Sequence, residues 1–374
     1  KAIHLGGEAT ADAIVSAVDT MYSEHTFNEK DFALKHNDAE IAMDSNFAAQ
    51  SFWKDVRVRF FRKKSAVLGL ILVVFIVLLA AFGPGMNEYT YSGQELSQKN
   101  FAPRVQVLEN FGIFNGDEKM STTTGSKTVN AYVEKGKEDV YYWFGSDTYG
   151  RDIWTRTWEG ARVSLIIAVA AAIIDMVIGM SYGLISGYFG GKVDMVLMRV
   201  TEIFTAIPFL PFAMILSSVM SQMTLSEDMR IFIIMVILGV LTWPSLARLV
   251  RGQVLVARES EYVTAAKAMG VSERTIAFKH ILPNVISVIL VSVTLDFAGC
   301  MLTESSLSYL GFGVHYPRPT WGNMLNGANN ATIIGNYWWQ WLFTSLFLAI
   351  TTICINIVGD TLRDVMDPKS NIDK

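Results

Sequence analysis

Eighteen consecutive residues, Ser65–Phe82 (SAVLGLILVVFIVLLAAF), contain no charged side chain. Coiled as a helix they extend about 27 Å, close to the ~30 Å hydrocarbon thickness of a bilayer. Further apolar stretches lie at Val163–Gly187, Leu197–Met220, Ile231–Val250, Asn284–Thr303 and Trp341–Val358. This segregation predicts an all-α membrane protein with six spans. The third contains Pro208 and Pro211, and the fourth Pro244. Proline costs about 3 kcal/mol in an isolated helix interior, but packed neighbours can re-satisfy the freed carbonyls, so kinked spans are allowed. Composition agrees: 51% of residues are hydrophobic and 18% charged, against about 25% charged in soluble domains. A soluble enzyme would need a very large core to hide so much apolar surface. The net charge of −4 gives no reason to expect nucleic acid. Cys300 and Cys354 form neither a disulfide framework nor a metal-ligand spacing.

The flanks orient the spans. Lys54, Arg57, Arg59, Arg62, Lys63 and Lys64 precede the first span, which places that side in the cytoplasm. With 64 residues before it, the span reads as a retained helix rather than a signal peptide. Six spans then return the C-terminus to the cytoplasm. The loop Arg248–Lys279, inside on this count, holds six Lys/Arg; Ser221–Glu227, outside, holds none, and Glu304–Gln340 holds only Arg318. Gly83–Arg162 has nine, but loops that long translocate largely regardless of charge. Tyr337, Trp338, Trp339 and Trp341 fall where an outer aromatic belt would lie.

Residues 1–51 carry nine acids against three Lys/Arg and read as a weakly helical cytoplasmic extension. In 52–64, Phe52, Val56 and Phe60 recur every fourth residue between cations, as in a short interfacial helix. The stretch 83–144 is an extracellular insert. Asn115-Gly116 and Lys135-Gly136-Lys137, flanked by alternating residues, predict hairpins and a small β-rich subdomain. Residues 145–368 form the remaining core, with a tail at 369–374.

The most ordered polar stretch is the loop 258–284. Glu259–Met269 is a helix-forming run with acids in its first turn and Gly270 at its C-cap; Ser272 can N-cap a second short helix that stops at Pro283. Ala265, Ala266 and Ala268 leave a shallow surface that another protein could approach.

These residues resemble a known family. Ala265-Ala266, then Gly270, then Leu282-Pro283 at their spacing are similar to the EAA loop of ABC importer permeases. Glu261-Tyr-Val-Thr-Ala-Ala-Lys-Ala-Met-Gly and His280-Ile-Leu-Pro-Asn resemble its peptide-importer branch. Phe144-Gly-Ser-Asp-Thr-Tyr-Gly-Arg-Asp, Glu304-Ser-Ser-Leu-Ser-Tyr-Leu-Gly-Phe-Gly313 and Asn356-Ile-Val-Gly-Asp-Thr-Leu-Arg-Asp resemble three other segments of those permeases, in the same order. The chain looks like the C-type permease subunit of an oligopeptide or dipeptide importer. One departure stands out: Thr264 occupies the position of the motif's glutamate, with Glu261 one turn earlier.

The resemblance implies the type I ABC importer permease fold in a bacterial inner membrane. It implies a second permease subunit, two cytoplasmic ATPases and an extracellular binding protein that delivers peptide. Glu261, Thr264, Ala265, Ala266, Ala268, Gly270, Leu282 and Pro283 would form the ATPase-coupling site. ATP and Mg²⁺ would bind in the partner ATPases, and this chain would hold no cofactor. Its nearest approach to a Walker A loop, Gly190-Gly191-Lys192, has Ser186 and Val193 at defining positions. Neither a metal cluster nor a nucleophile elbow is visible, so no catalytic role is expected.

Asp175 and Asp296 fall near the middle of the second and fifth spans. Charges at such depth usually face the bundle interior or water. They read either as part of a wet peptide path, with Pro208 and Pro211 marking a broken helix along it, or as hydrogen-bonded groups joining helices. A secondary proton-coupled peptide transporter using those acids is the competing reading, but it would have no use for a helix–Gly–helix socket.

Overall fold

The computed structural model describes residues 52–122 and 125–366. The extension 1–51 and the tail 369–374 therefore lie outside the described residues. The chain divides between Asp55 and Val56 into two compact units, and the helical bundle is the second.

Helix α1 (Phe52–Arg62) buries Val56 and Phe60 and leaves Arg57 and Arg62 exposed, with Arg59 half-buried. Helix α2 (Lys64–Phe82) is apolar on every side, the pattern of a span surrounded by lipid and other helices. Two strands, β1 (Asp117–Thr122) and β2 (Gly125–Asn130), and a one-turn helix α3 (Ala131–Glu134) belong to the insert. Then come α4 (Ile153–Phe189), α5 (Gly191–Ala206), α6 (Phe209–Gln222) and α7 (Glu227–Arg258). The loop helices α8 (Glu261–Ala268) and α9 (Glu273–Thr275) run into a π-helical turn, Ile276–Ile281, that opens α10 (Leu282–Tyr309). Two short helices, α11 (Trp321–Gly327) and α12 (Ala331–Asn336), precede α13 (Trp339–Met366).

Among the described residues five helices are long and apolar enough to cross a membrane, and α5 with α6, bent by 73° at their break, makes a sixth when the pair is counted as one span. On that count the six expected spans are present. Pro208 causes the bend: it lacks an N–H, so α5 ends at Ala206 and α6 restarts at Phe209, with Pro211 in its first turn. Large apolar side chains such as Leu68, Ile71, Phe75, Ile173 and Ile353 point outward, a belt that suits lipid or another apolar protein surface.

At 37 residues, or about 56 Å, α4 is longer than a bilayer is thick. Its first turns start ten residues before the expected span and are buried by protein instead. Asp152 caps them, Thr155, Thr157 and Glu159 are buried, and Trp321 Nε1 donates to the Thr157 carbonyl at 3.0 Å. The most extensive helix–helix packing joins α4 to α7. Gly179, Gly183 and Gly187 recur every fourth residue against Leu246, Ala247, Val250, Arg251 and Val254; a Cβ on Gly183 would lie 2.5 Å from the Ala247 carbonyl oxygen. Small residues at this spacing let two backbones approach where no hydrophobic force drives helices together.

The insert differs from the expected hairpins in place. Its two-stranded sheet pairs Asp117 with Asn130 through Thr122 with Gly125. Gly116 instead ends an isolated bridge, Arg104 to Asn115. Residues 131–134 coil because the Asn130 side chain accepts from the N–H groups of Tyr132 and Val133. Phe101, Tyr132 and Tyr142 form a buried aromatic cluster, and Phe144 stacks on Phe343 at 4.0 Å. Trp339, expected in an interfacial belt, is fully buried and donates to the Ser146 carbonyl at 3.2 Å.

Gly183→Leu should cost about 1–3 kcal/mol through overpacking of the α4–α7 seam and lower the thermal midpoint in detergent, whereas Gly252→Ala, with nothing within 4 Å of its Cβ, should not. Glu118 is held in β1 with Oε2 unpartnered, and burial raises its carboxyl to about 7. Because the folded-state value is the higher one, its contribution is fully present below the ordinary glutamate value of 4.5 and is lost progressively as pH rises through about 7. Protection factors across the sheet, exchange rates corrected for the intrinsic base-catalysed rate, should therefore fall between pH 4.5 and 7, about tenfold per 1.4 kcal/mol lost, and Glu118→Gln should flatten that profile.

Candidate functional site

Two features hold the residues that the sequence singled out: the loop between α7 and α10, and a cavity beside the α5–α6 break.

The loop is a built object. Val263 and Ala266 sit three residues apart on α8, so they share a stripe; both are buried against Leu184, Tyr188, Val250, Val254, Ile276 and Ile281. Gly270 closes the helix in the left-handed region (φ +76°), and the Val271 N–H reaches back to the Ala266 carbonyl at 3.1 Å. A glycine is favoured there because a Cβ would clash with its own carbonyl. Ser272 caps the next turn by accepting from the Thr275 N–H. Pro283 removes an N–H from the start of α10. There Leu282 N–H bonds Ala277 O, five residues back, while Asn284 Nδ2 covers the His280 carbonyl at 2.6 Å. Leu282 is half-buried and Pro283 exposed.

The face turned away from the bundle carries Glu261, Thr264, Ala265, Ala268 and Met269, the last 76% exposed. One expectation changes here: Ala266 belongs to the buried stripe, at 3% exposure, so the approachable surface is Ala265 and Ala268 flanked by Tyr262 and Met269.

Arginines tie the loop to the bundle, and spacing alone did not reveal them. Arg258 donates to the carbonyls of Gly187 and Tyr188 at 3.3 and 3.2 Å, closing the end of α4. Arg251 grips Asp194 with two nitrogens at 2.5 and 2.6 Å, and Ser186 donates to the same carboxylate. That pins the Gly190-Gly191 turn and the start of α5 against α7. Lys63 pairs with Asp364 at 2.7 Å, and Val56 packs on Val291, Val365 and Met366. The cationic flank of α2, the end of α13 and the loop therefore share one end of the bundle.

A cavity of about 460 Å³ opens beside the α5–α6 break. Asp175 of α4 and Asp296 of α10 both line it, with Thr205, Thr242, Ser245 and Phe209. Pro208 and Pro211 shape the break without lining the wall. Asp175 is 1% exposed and its Oδ1 has no hydrogen-bond partner; Asp296 accepts only a long contact from Ser292 Oγ, at 3.5 Å. The structure thus brings the two acids and the break to one place.

Apolar helices of this number and length define an integral membrane protein. Residues 179–372 match the model of the binding-protein-dependent transport system inner membrane component family, and residues 51–103 match the N-terminal TM domain of oligopeptide transport permease C. The chain belongs to the former family and is a multi-pass membrane protein. It is 34% identical to the oligopeptide transport system permease protein OppC of Haemophilus influenzae, over 94% of this chain and 99% of that protein. Identity to OppC of Bacillus subtilis is 37%, over 85% and 90%. The dipeptide transport system permease protein DppC of the same organism is 34% identical, over 85% and 86%.

The two faces of α8 predict opposite mutant behaviour. Ala266→Glu places a carboxylate among Val263, Ile276 and Ile281, a change that costs several kcal/mol when the charge is unpaired (about 3–5). Limited proteolysis of membranes should then cut within 258–284, while Ala265→Glu on the outer face leaves the digestion pattern unchanged.

Proposed function

We propose that this chain is one permease subunit of an ATP-driven peptide importer in a bacterial inner membrane. With a second permease it forms the path for peptides delivered by an extracellular binding protein. Helix α8 is the coupling helix, seated in a groove of a partner ATPase. Both termini and the loop face the cytoplasm, in keeping with the cations around the first span and along Arg248–Lys279. The chain hydrolyses no ATP of its own.

One observation carries this reading. The helices that hold the loop also wall the cavity. On α7, Val254 and Arg258 brace the loop while Thr242 and Ser245 face the cavity; on α10, Leu282 packs under the loop while Asp296 and Cys300 face the cavity. A displacement of α8 by a closing ATPase pair is thereby delivered along two rigid helices to the bent third span. Rocking of packed helices about a fixed site is a known route to alternating access.

The test is Ala265→Glu, with Gly270→Pro as a second variant, in cells carrying the whole transporter. Peptide uptake should fall at least about tenfold, the effect of ~1.4 kcal/mol, and ATPase co-purification should be lost while the chain stays in the membrane. Persistence of both would show that α8 is not the docking element. Uptake that survives deletion of the ATPases but collapses with the proton gradient would favour a proton-coupled carrier using Asp175 and Asp296.

A further inference from the structure

We infer that the cavity beside the α5–α6 break is an ammonium subsite: Asp175 and Asp296 receive the protonated amino terminus, or another organic cation, of the solute in transit. The inference rests on the permease reading and narrows what its path selects.

The wall has one sign. It contains two carboxylates and several hydroxyls, among them Thr205, Thr242 and Thr303, and neither Lys nor Arg. Arg248, whose guanidinium donates to Thr205 Oγ1, does not line it. Asp175 lines this space, is almost wholly buried and has its Oδ1 unpartnered. A buried carboxylate oxygen is costly without a donor, and a carboxylate can only accept; an incoming ammonium brings three donors and the compensating charge. Asp296 has spare acceptor capacity too, since its Ser292 contact is long at 3.5 Å.

Backbone adds to the field. The last turn of α5 reaches the cavity through Phe204 and Thr205. A helix C-terminus presents free carbonyls and the negative end of its dipole, and broken helices use such ends to hold cations. The N-terminus of α6 arrives at the same break through Phe209 with the opposite sign, so the two carboxylates decide the balance. Depth fits transit: Asp175 and Asp296 each lie 14 residues from the loop end of their helices, about 21 Å along the axis. The volume, about 460 Å³, is in the range of sites for small organic solutes (roughly 300–1,000 Å³).

The experiment compares uptake of a tripeptide and its N-acetylated counterpart by the complete transporter, wild type against Asp175→Asn and Asp296→Asn. The binding protein is the same throughout, so its own preference cancels in the ratio of ratios. Discrimination should fall about tenfold (~1.4 kcal/mol) in either Asn variant and be kept by Asp296→Glu. An unchanged ratio with uptake retained overturns the subsite while leaving the permease reading intact; uptake indifferent to deletion of the chain overturns that reading itself. Where a variant halts transport, Thr303→Cys is read instead, on a Cys300→Ser, Cys354→Ser background in the assembled transporter. An ammonium-bearing thiosulfonate should label it about tenfold faster than a sulfonate-bearing one, an advantage that Asp175→Asn removes. Equal rates in the parent overturn the proposal.

Discussion

The close approach of α4 to α7 is the constraint on which the rest depends. In a membrane, apolar surface is no reason for two helices to meet, so contact rests on van der Waals fit and small residues. Gly179, Gly183 and Gly187 supply that fit against Ala247, Val250 and Val254. Asp175 continues the same four-residue ladder toward mid-membrane, which is why an acid lands at the edge of the cavity and away from lipid. At the other end the ladder stops at the carbonyls that Arg258 closes. One seam therefore sets the spacing between loop and cavity.

On the proposed function, that arrangement makes the loop a lever. Its inner stripe, Val263 and Ala266, is embedded in the same apolar cluster as Leu184 and Val250, and its outer stripe is left bare. The Asp194–Arg251 pair prevents the α4–α5 turn from yielding independently. The compliant point is farther in, where Pro208 interrupts the third span and no helical hydrogen bonds cross the break. Stiff ends and a soft middle are what a gate needs if it is to be worked from one side.

The spans were legible because a bilayer demands about 20 apolar residues in a row, and Ser65–Phe82 leaves no other reading. The first turns of α4 were not, because Thr155, Thr157 and Glu159 meet partners remote in sequence: Asn87 accepts from Thr155, Trp321 donates to the Thr157 carbonyl and Arg318 pairs with Glu159. Strand β2 (GSKTVN) has no apolar alternation, so its pairing with β1 left no period to read, while Asn130 turned an alternating stretch into a helical turn by capping it. Within the loop, Gly270 and Ser272 declared their roles through backbone chemistry alone. Which alanine faced inward depended on Ile276 and Ile281, side chains that only folding brings beneath α8. Arg258 and Arg251 looked like solvated cytoplasmic charge and proved to be braces.

If the loop is a lever, force applied at α8 must reach the cavity. The most direct measurement is the labelling rate of a single cavity cysteine at position 303 in the assembled, membrane-embedded transporter, with and without a non-hydrolysable ATP analogue. Nucleotide should change that rate several-fold or more, about 1 kcal/mol or greater in the underlying equilibrium, and the change should disappear when Ala265→Glu blocks docking. A rate unaffected by nucleotide, or a change that survives the block, would contradict the lever.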